Sequence, residues 1–124
     1  MKTNETALPG AKLVLRGINL KLTAAMEATF TEKLERLFRH EPRIIRVRLD
    51  LEDVSVGGTR RFEAKGHIEI AGPDLVASVA SDDAYKSVDM LVDRLDRMLR
   101  KRMAALTSRR HDGDIRDHTV SLAE

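Results

Sequence analysis

The residues best suited to chemistry in this chain sit in its last long helical segment, where Lys86, Arg94, Arg97, Arg100 and Lys101 recur among apolar positions. An ideal helix turns about 100° per residue, which puts Arg97, Lys101 and Arg94 about 20°, 60° and 80° from Lys86, and Arg100 about −40° away. The five cations therefore share an arc of roughly 120° over four turns. A row of guanidinium and ammonium groups suits phosphate oxygens, which it binds by counterion release and bidentate hydrogen bonds. It would read backbone shape rather than base sequence, the usual mode for structured RNA. Lys33, Arg36 and His40 lie along one edge of an earlier helical stripe, near Glu32 and Glu35, and would join this face if the helices pack side by side. The plainer reading is that the cations solvate an exposed helix and pair with acids three or four residues away. Asp89 with Lys86, Asp93 with Arg97 and Asp96 with Arg100 have that spacing. Against it, cations outnumber acids across Lys86–Arg102, and the C-terminal half of that stretch, with Arg97, Arg100, Lys101 and Arg102, is nearly free of acid.

Other chemistries find little footing. His40, His67, His111 and His118 share no metal-ligand spacing on a rigid element. The segment His111-Asp112-Gly113-Asp114 with Asp117 and His118 has donors for a cation but reads as a solvated tail. No phosphate-loop, dinucleotide or nucleophile-elbow pattern occurs, and Gly57-Gly58 reads as a turn because no helix follows it. Asp82-Asp83 resembles a catalytic carboxylate pair only until helix capping is considered, which explains it alone. With no cysteine, thiol chemistry, Cys-ligated zinc and disulfides are excluded. Aromatic residues make up 3% of the chain, which argues against platforms that stack unpaired bases. Tyr85 falls beside the core face of its helix and reads as a half-buried packing residue with a wet hydroxyl. The expectation is a protein that is not an enzyme and takes no cofactor, no metal and no small-molecule substrate.

These side chains must be positioned by a small set of elements. Lys12 to Ile18 reads as a strand, and Thr23 caps a helix whose stripe is Met26, Phe30, Leu34, Leu37 and Phe38. Pro42 ends that helix, because the residue before a proline is pushed out of the α region. Ile45, Val47, Leu49 and Leu51 alternate with Arg46, Arg48 and Asp50; Phe62, Ala64, Ile68 and Ile70 alternate with Glu63, Lys65, His67 and Glu69. Leu75 to Ala80 is a short fourth strand after the turn Gly72-Pro73-Asp74. Ser81, Asp82 and Asp83 then open a helix running to about Leu106, its apolar face formed by Ala84, Val88, Leu91, Leu95, Leu99 and Leu106. The fold class is α+β, in the order β-α-β-β-β-α, with a four-stranded sheet and both helices packed on one face. A ferredoxin-like arrangement would need a further strand, for which only Thr119 to Leu122 offers material.

The 124 residues suffice for one domain with a core of its own. Residues 1–10 read as a flexible lead-in ending in Pro9-Gly10, 11–106 as the folded binding domain, and 107–124 as a disordered tail. Net charge is only +2 although 34% of residues are charged, so the placement of charge matters more than its sum. No apolar run approaches the roughly 20 residues of a membrane span, and Met1–Gly10 lacks the features of a signal peptide. The expectation is a cytoplasmic protein.

The segment from Asp83 to Lys101, DAYKSVDMLVDRLDRMLRK, resembles the second helix of the hibernation-promoting factor and ribosome-associated inhibitor family, with its pattern D-M-Y-x-A-I-D-x-L-x-D-K-L-x-R-Q-L-x-K. Gly17-Ile18-Asn19, Leu22-Thr23 and Lys33-Leu34-Glu35-Arg36-Leu37 look like that family's G-x-N-x-x-x-T and K-L-x-K-L. The likeness spans about Lys12 to Leu106. Ala84 departs from a usual methionine, and Arg94 replaces a frequent lysine with a cation of different donor geometry. The resemblance implies a fold like the double-stranded-RNA-binding domain with an extra first strand. It implies docking between head and body of the small ribosomal subunit, over the messenger and transfer-RNA sites, so that translation stops and idle ribosomes are preserved. Carried over by position, Lys33, Arg36, Lys86, Arg94, Arg97, Arg100 and Lys101 become the expected contacts to 16S ribosomal RNA. The chain resembles the short forms, expected to be monomeric off the ribosome. A different class of function is a protein-interaction module regulating a transcription factor such as the alternative sigma factor, in which the charged helix faces would meet an acidic protein surface.

Overall fold

The computed structural model describes residues 3–6 and 12–115, with side chains over 12–107. Among the described residues five strands form one sheet, in the spatial order of the chain: β1 (Thr3–Thr6), β2 (Leu13–Ile18), β3 (Arg46–Asp53), β4 (Phe62–Glu69) and β5 (Leu75–Ser81). Two helices, α1 (Ala24–His40) and α2 (Ala84–Ile115), complete the expected β-α-β-β-β-α body, to which β1 is an addition.

Each helix begins, and α1 ends, where local chemistry requires. The Thr23 hydroxyl oxygen accepts the Met26 N–H at 3.1 Å, and the Asp83 carboxylate accepts the N–H groups of Tyr85 at 2.8 Å and Lys86 at 3.2 Å. Both are caps for otherwise unsatisfied first-turn donors. α1 stops at Glu41, which adopts an extended backbone ahead of Pro42. The buried Glu41 carboxylate then takes the Arg43 Nε at 2.7 Å and the Arg43 backbone N–H at 2.9 Å, which turns the chain so that Ile44 enters the core. Those hydrogen bonds from Arg43 hold the Glu41 carboxyl below its usual range.

β2 and β3 run parallel, joined by α1, with Leu15 opposite Leu49. The β3–β4–β5 meander is antiparallel, with Leu51 opposite Ala64 and Gly66 opposite Ala77. β2, β3 and β5 therefore share one direction, and each helix returns from one of them, so α1 and α2 run parallel to each other. Phe30, Leu34 and Leu37 of α1 meet Val88, Leu91, Leu95 and Leu99 of α2 above Val47, Leu49, Leu51, Ala64 and Ile68 of the sheet. Gly66 lets α2 lie close: a Cβ there would stand 2.6 Å from Leu95 Cδ1. The turns carry the expected glycines, with Gly57 at φ +61° between the bridged Val56 and Thr59 and Gly72 at φ +92°.

Three expectations are corrected. The lead-in of residues 1–10 contains β1, paired antiparallel to β2 from Thr3 opposite Ile18 to Thr6 opposite Leu15. Thr-Asn-Glu-Thr has no apolar alternation to announce a strand; its pairing follows from backbone groups that β2 would otherwise leave open. α2 continues past Leu106 to Ile115, because a stretch lacking an apolar face still contains good helix formers such as Arg109 and Arg110. Ile45 was expected to face inward with Val47, yet it is 59% exposed while Ile44 is buried. The turn set by Glu41 places Ile44 in the core before strand alternation begins at Arg46.

Candidate nucleic-acid interface

α2 is held against the sheet by its apolar face and by Ser87, whose buried hydroxyl donates to the Phe62 carbonyl at 2.8 Å and lies 2.7 Å from Ser81 Oγ. This anchoring fixes the rotation of the helix and hence where its charges point. Lys86, Arg94, Arg97, Arg100 and Lys101 are all exposed.

The acids of α2 have a different destination. Asp89 meets Lys33 Nζ at 2.6 Å, Asp93 meets Arg36 at 3.3 Å, and Asp96 meets His40 Nδ1 at 2.9 Å. These pairs form a ladder between the helices, one rung per turn. Lys33, Arg36 and His40 thus do not simply extend the basic face of α2; they are held at the seam by its aspartates. Of the three intrahelical pairs expected from spacing, Asp96 with Arg100 forms at 2.7 Å, while Asp89 and Asp93 turn to α1 instead of to Lys86 and Arg97. Among the described residues, no carboxylate lies within ion-pair distance of Lys86, Arg94, Arg97 or Lys101. The seam therefore engages Asp89, Asp93 and Asp96 and leaves Lys86, Arg94, Arg97 and Lys101 on a side of α2 where, among the described residues, no carboxylate pairs with them.

The rungs differ in burial. Lys33 and Arg36 keep about a third and two fifths of their side chains exposed, whereas Asp96 is 9% exposed. Burial pushes the Asp96 carboxyl up, but the His40 hydrogen bond and the Arg100 charge outweigh it and hold the group below the usual aspartate range. Arg36 Nε is shielded and finds no acceptor among the described residues, beside a cleft of about 220 Å³ lined by Lys33, Asp89, Val92 and Asp93.

At the other end of the seam Tyr85 stacks at a tilt on Phe30, with ring centroids 5.4 Å apart, and keeps 40% of its surface exposed. That is the half-buried packing role its position suggested. Among the described residues, no group of three or more His, Asp or Glu is placed to hold a metal ion, and no helix is long and apolar enough to cross a membrane. The cation donors considered between His111 and His118 lie outside the described side chains.

The sequence placed Lys86, Arg94, Arg97, Arg100 and Lys101 away from the core, where the structure has them, but missed the ladder. A signal for it existed: Lys33, Arg36 and His40 step by three and four, and Asp89, Asp93 and Asp96 step by four and three. Both trios span two turns, and helices known to be parallel would bring them into register.

Comparison with solved structures places the fold. A ribosomal subunit interface protein from Coxiella burnetii superposes with a TM-score of 0.63 at 22% identity, covering 75% of this chain and 96% of that one. The N-terminal domain of Thermus thermophilus Protein Y gives 0.59 at 24% identity, covering 72% and 92%. Among curated relatives, a ribosome hibernation promoting factor from Azotobacter vinelandii is 34% identical over 89 residues, 70% of this chain and 78% of that protein. Ribosome-associated factor Y from Haemophilus influenzae is 29% identical over 98 residues, 79% and 88% of the two chains. The ribosome hibernation promotion factor of Deinococcus radiodurans is 32% identical over 101 residues, and this chain matches about half of its length (52%). A family model matches residues 13–107, from the first residue of β2 through the anchored part of α2, and so the chain belongs to the Sigma 54 modulation protein / S30EA ribosomal protein family.

Proposed function

We propose that this protein is a ribosome hibernation factor that docks on the small ribosomal subunit between head and body and blocks the messenger and transfer-RNA sites. The observation that carries the reading is the sorting of charge on α2: Asp89, Asp93 and Asp96 are paired at the helix–helix seam, and Lys86, Arg94, Arg97 and Lys101 face outward with no carboxylate at ion-pair distance among the described residues. The relatives named ribosome hibernation promoting factor support the same role. 16S ribosomal RNA is the partner that such a face fits, because cations on a rigid helix read phosphate positions and not base sequence. Lys33, Arg36 and Arg100 complete the proposed contact set; each already holds a carboxylate, so each adds less net charge than the four unpaired cations.

The test is co-sedimentation of the purified protein with small subunits across a salt series, beside the variant Arg94→Glu/Arg97→Glu/Lys101→Glu. The reading expects salt-sensitive pelleting that the variant loses while its circular-dichroism spectrum stays folded. Absence of pelleting by the unmodified protein at low salt would overturn it and favour a protein partner, as in regulation of a sigma factor.

A further inference from the structure

The free edge of the sheet has the makings of a second binding surface. β5 is the last strand, and among the described residues nothing pairs with its outer edge. Its sequence, Leu-Val-Ala-Ser-Val-Ala-Ser, has no charge, no proline and no glycine, the features by which exposed edges are normally protected from pairing with another chain. Val76 is 51% exposed and Ser78 is exposed beside it, so the solvent face of the edge is small and uncharged.

The helix face of that edge has a different character. Ser87, Arg94 and Lys101 repeat every seven residues and so fall on one side of α2. Ser87 is tied to Ser81 at the end of β5, and Lys101 lines a cleft with Leu75 at its start. From Ser87 to Lys101 is about 21 Å along a helix. From Leu75 to Ser81 is about 20 Å along a strand. The row therefore runs the length of β5, with Arg94 beside its middle. The cleft at the Lys101 end holds about 630 Å³ between Pro73, Leu75, Met98 and Leu106 and is mostly apolar.

We infer that β5 accepts an extended acidic protein segment as a sixth strand, its carboxylates on the helix side meeting Arg94 and Lys101 and its apolar residues on the solvent face beside Val76. Main-chain hydrogen bonds would supply affinity and the alternating side chains specificity, as in other strand additions. A second copy of this chain fits the edge poorly. Antiparallel pairing of β5 with itself would bring two α2 helices to about 10 Å separation, Arg94 against Arg94, a like-charge contact. The inference goes beyond ribosome docking but shares Arg94 and Lys101 with it, so the two ligands would compete.

The experiment uses the full chain, isotope-labelled, titrated with a capped nine-residue peptide alternating glutamate and valine, beside its lysine-for-glutamate twin. Amide chemical shifts and hydrogen exchange are the readouts. The inference expects binding of the glutamate peptide only, with alternate β5 amides gaining protection, and at least a tenfold loss of affinity in Arg94→Glu/Lys101→Glu. A second variant, Val76→Glu/Ser78→Glu, leaves the proposed RNA face intact. It should lose the peptide while still pelleting with ribosomal subunits. No binding, equal binding of both peptides, or shifts confined to the Lys86–Arg97 face would overturn the inference. None of these results touches the ribosome reading, which the pelleting assay decides on its own.

Discussion

Paired and unpaired cations should differ in how they depend on salt. When an unpaired lysine or arginine binds a phosphate, condensed counterions leave the RNA, and log K falls by about 0.7–0.9 per contact for each tenfold rise in salt. Lys86, Arg94, Arg97 and Lys101 together predict a slope of about −3, so binding should weaken about eightfold between 0.1 and 0.2 M salt. Arg97→Gln removes one contact, which brings the slope to about −2.4 and the loss over that interval to about fivefold. Arg36 is different. Its guanidinium already holds Asp93 at 3.3 Å, so moving to a phosphate exchanges one ion pair for another. Arg36→Gln should therefore lower affinity with little change of slope. The assay is sedimentation binding to small subunits at fixed magnesium, with the monovalent salt varied and each slope fitted separately. Equal slope changes in Arg36→Gln and Arg97→Gln would refute the claim that the seam decides which cations remain available.

Stability offers three further checks by denaturant melts. Gly66→Ala places a Cβ 2.6 Å from Leu95 Cδ1 and 3.1 Å from Leu91 Cδ2, so it should cost about 1–3 kcal/mol as overpacking; no loss would mean that α2 can lift from β4 freely. Asp83→Ala removes the acceptor for two first-turn N–H groups and should cost about 1 kcal/mol, while Asp83→Asn should recover most of it. Asp96 has a folded-state pKa below its unfolded value, so its contribution is present above the unfolded pKa and is lost as pH falls through the folded one. Asp96→Asn should accordingly melt earlier than the unmodified protein at neutral pH and converge with it under acid, and a gap that persists in acid would contradict this.

Much of the fold was legible because the sequence repeats its instructions. The α1 stripe, the Thr23 and Asp83 caps, Pro42 and the alternation in β3 and β4 each specify the same element twice over. β1 was not legible, since Thr3–Thr6 has no buried face to impose a period and its strand exists through backbone pairing with β2. Ile45 misled for a related reason: period two assigns it to the core, but the Glu41–Arg43 turn decides where the period starts. In the candidate site, the exposed cations of α2 follow from one helix alone and could be placed by angle. The partners of Lys33, Arg36 and His40 depend on how two helices are registered, which is a property of the sheet topology and not of either helix.

That register gives the sharpest test of the seam. α1 and α2 are parallel because β2 and β5 point the same way, and parallel helices bring Lys33 to Asp89, Arg36 to Asp93 and His40 to Asp96 turn by turn. A charge swap, Lys33→Asp with Asp89→Lys, should preserve the top rung with its polarity reversed. Because the Lys33 and Asp89 side chains are 32% and 55% exposed, solvent screening limits the rung to about 0.5 kcal/mol. Each single variant should lose about that much and more through like-charge contact, and the swap should restore it. Ribosome binding then separates two roles for Lys33. If it serves only to hold Asp89, the swapped protein binds as the unmodified one does. If it also reaches a phosphate, the swap recovers stability but not affinity, and the contact set on α1 stands. Failure of the swap to restore stability would mean that the ladder is a consequence of how the helices pack and contributes nothing to their register.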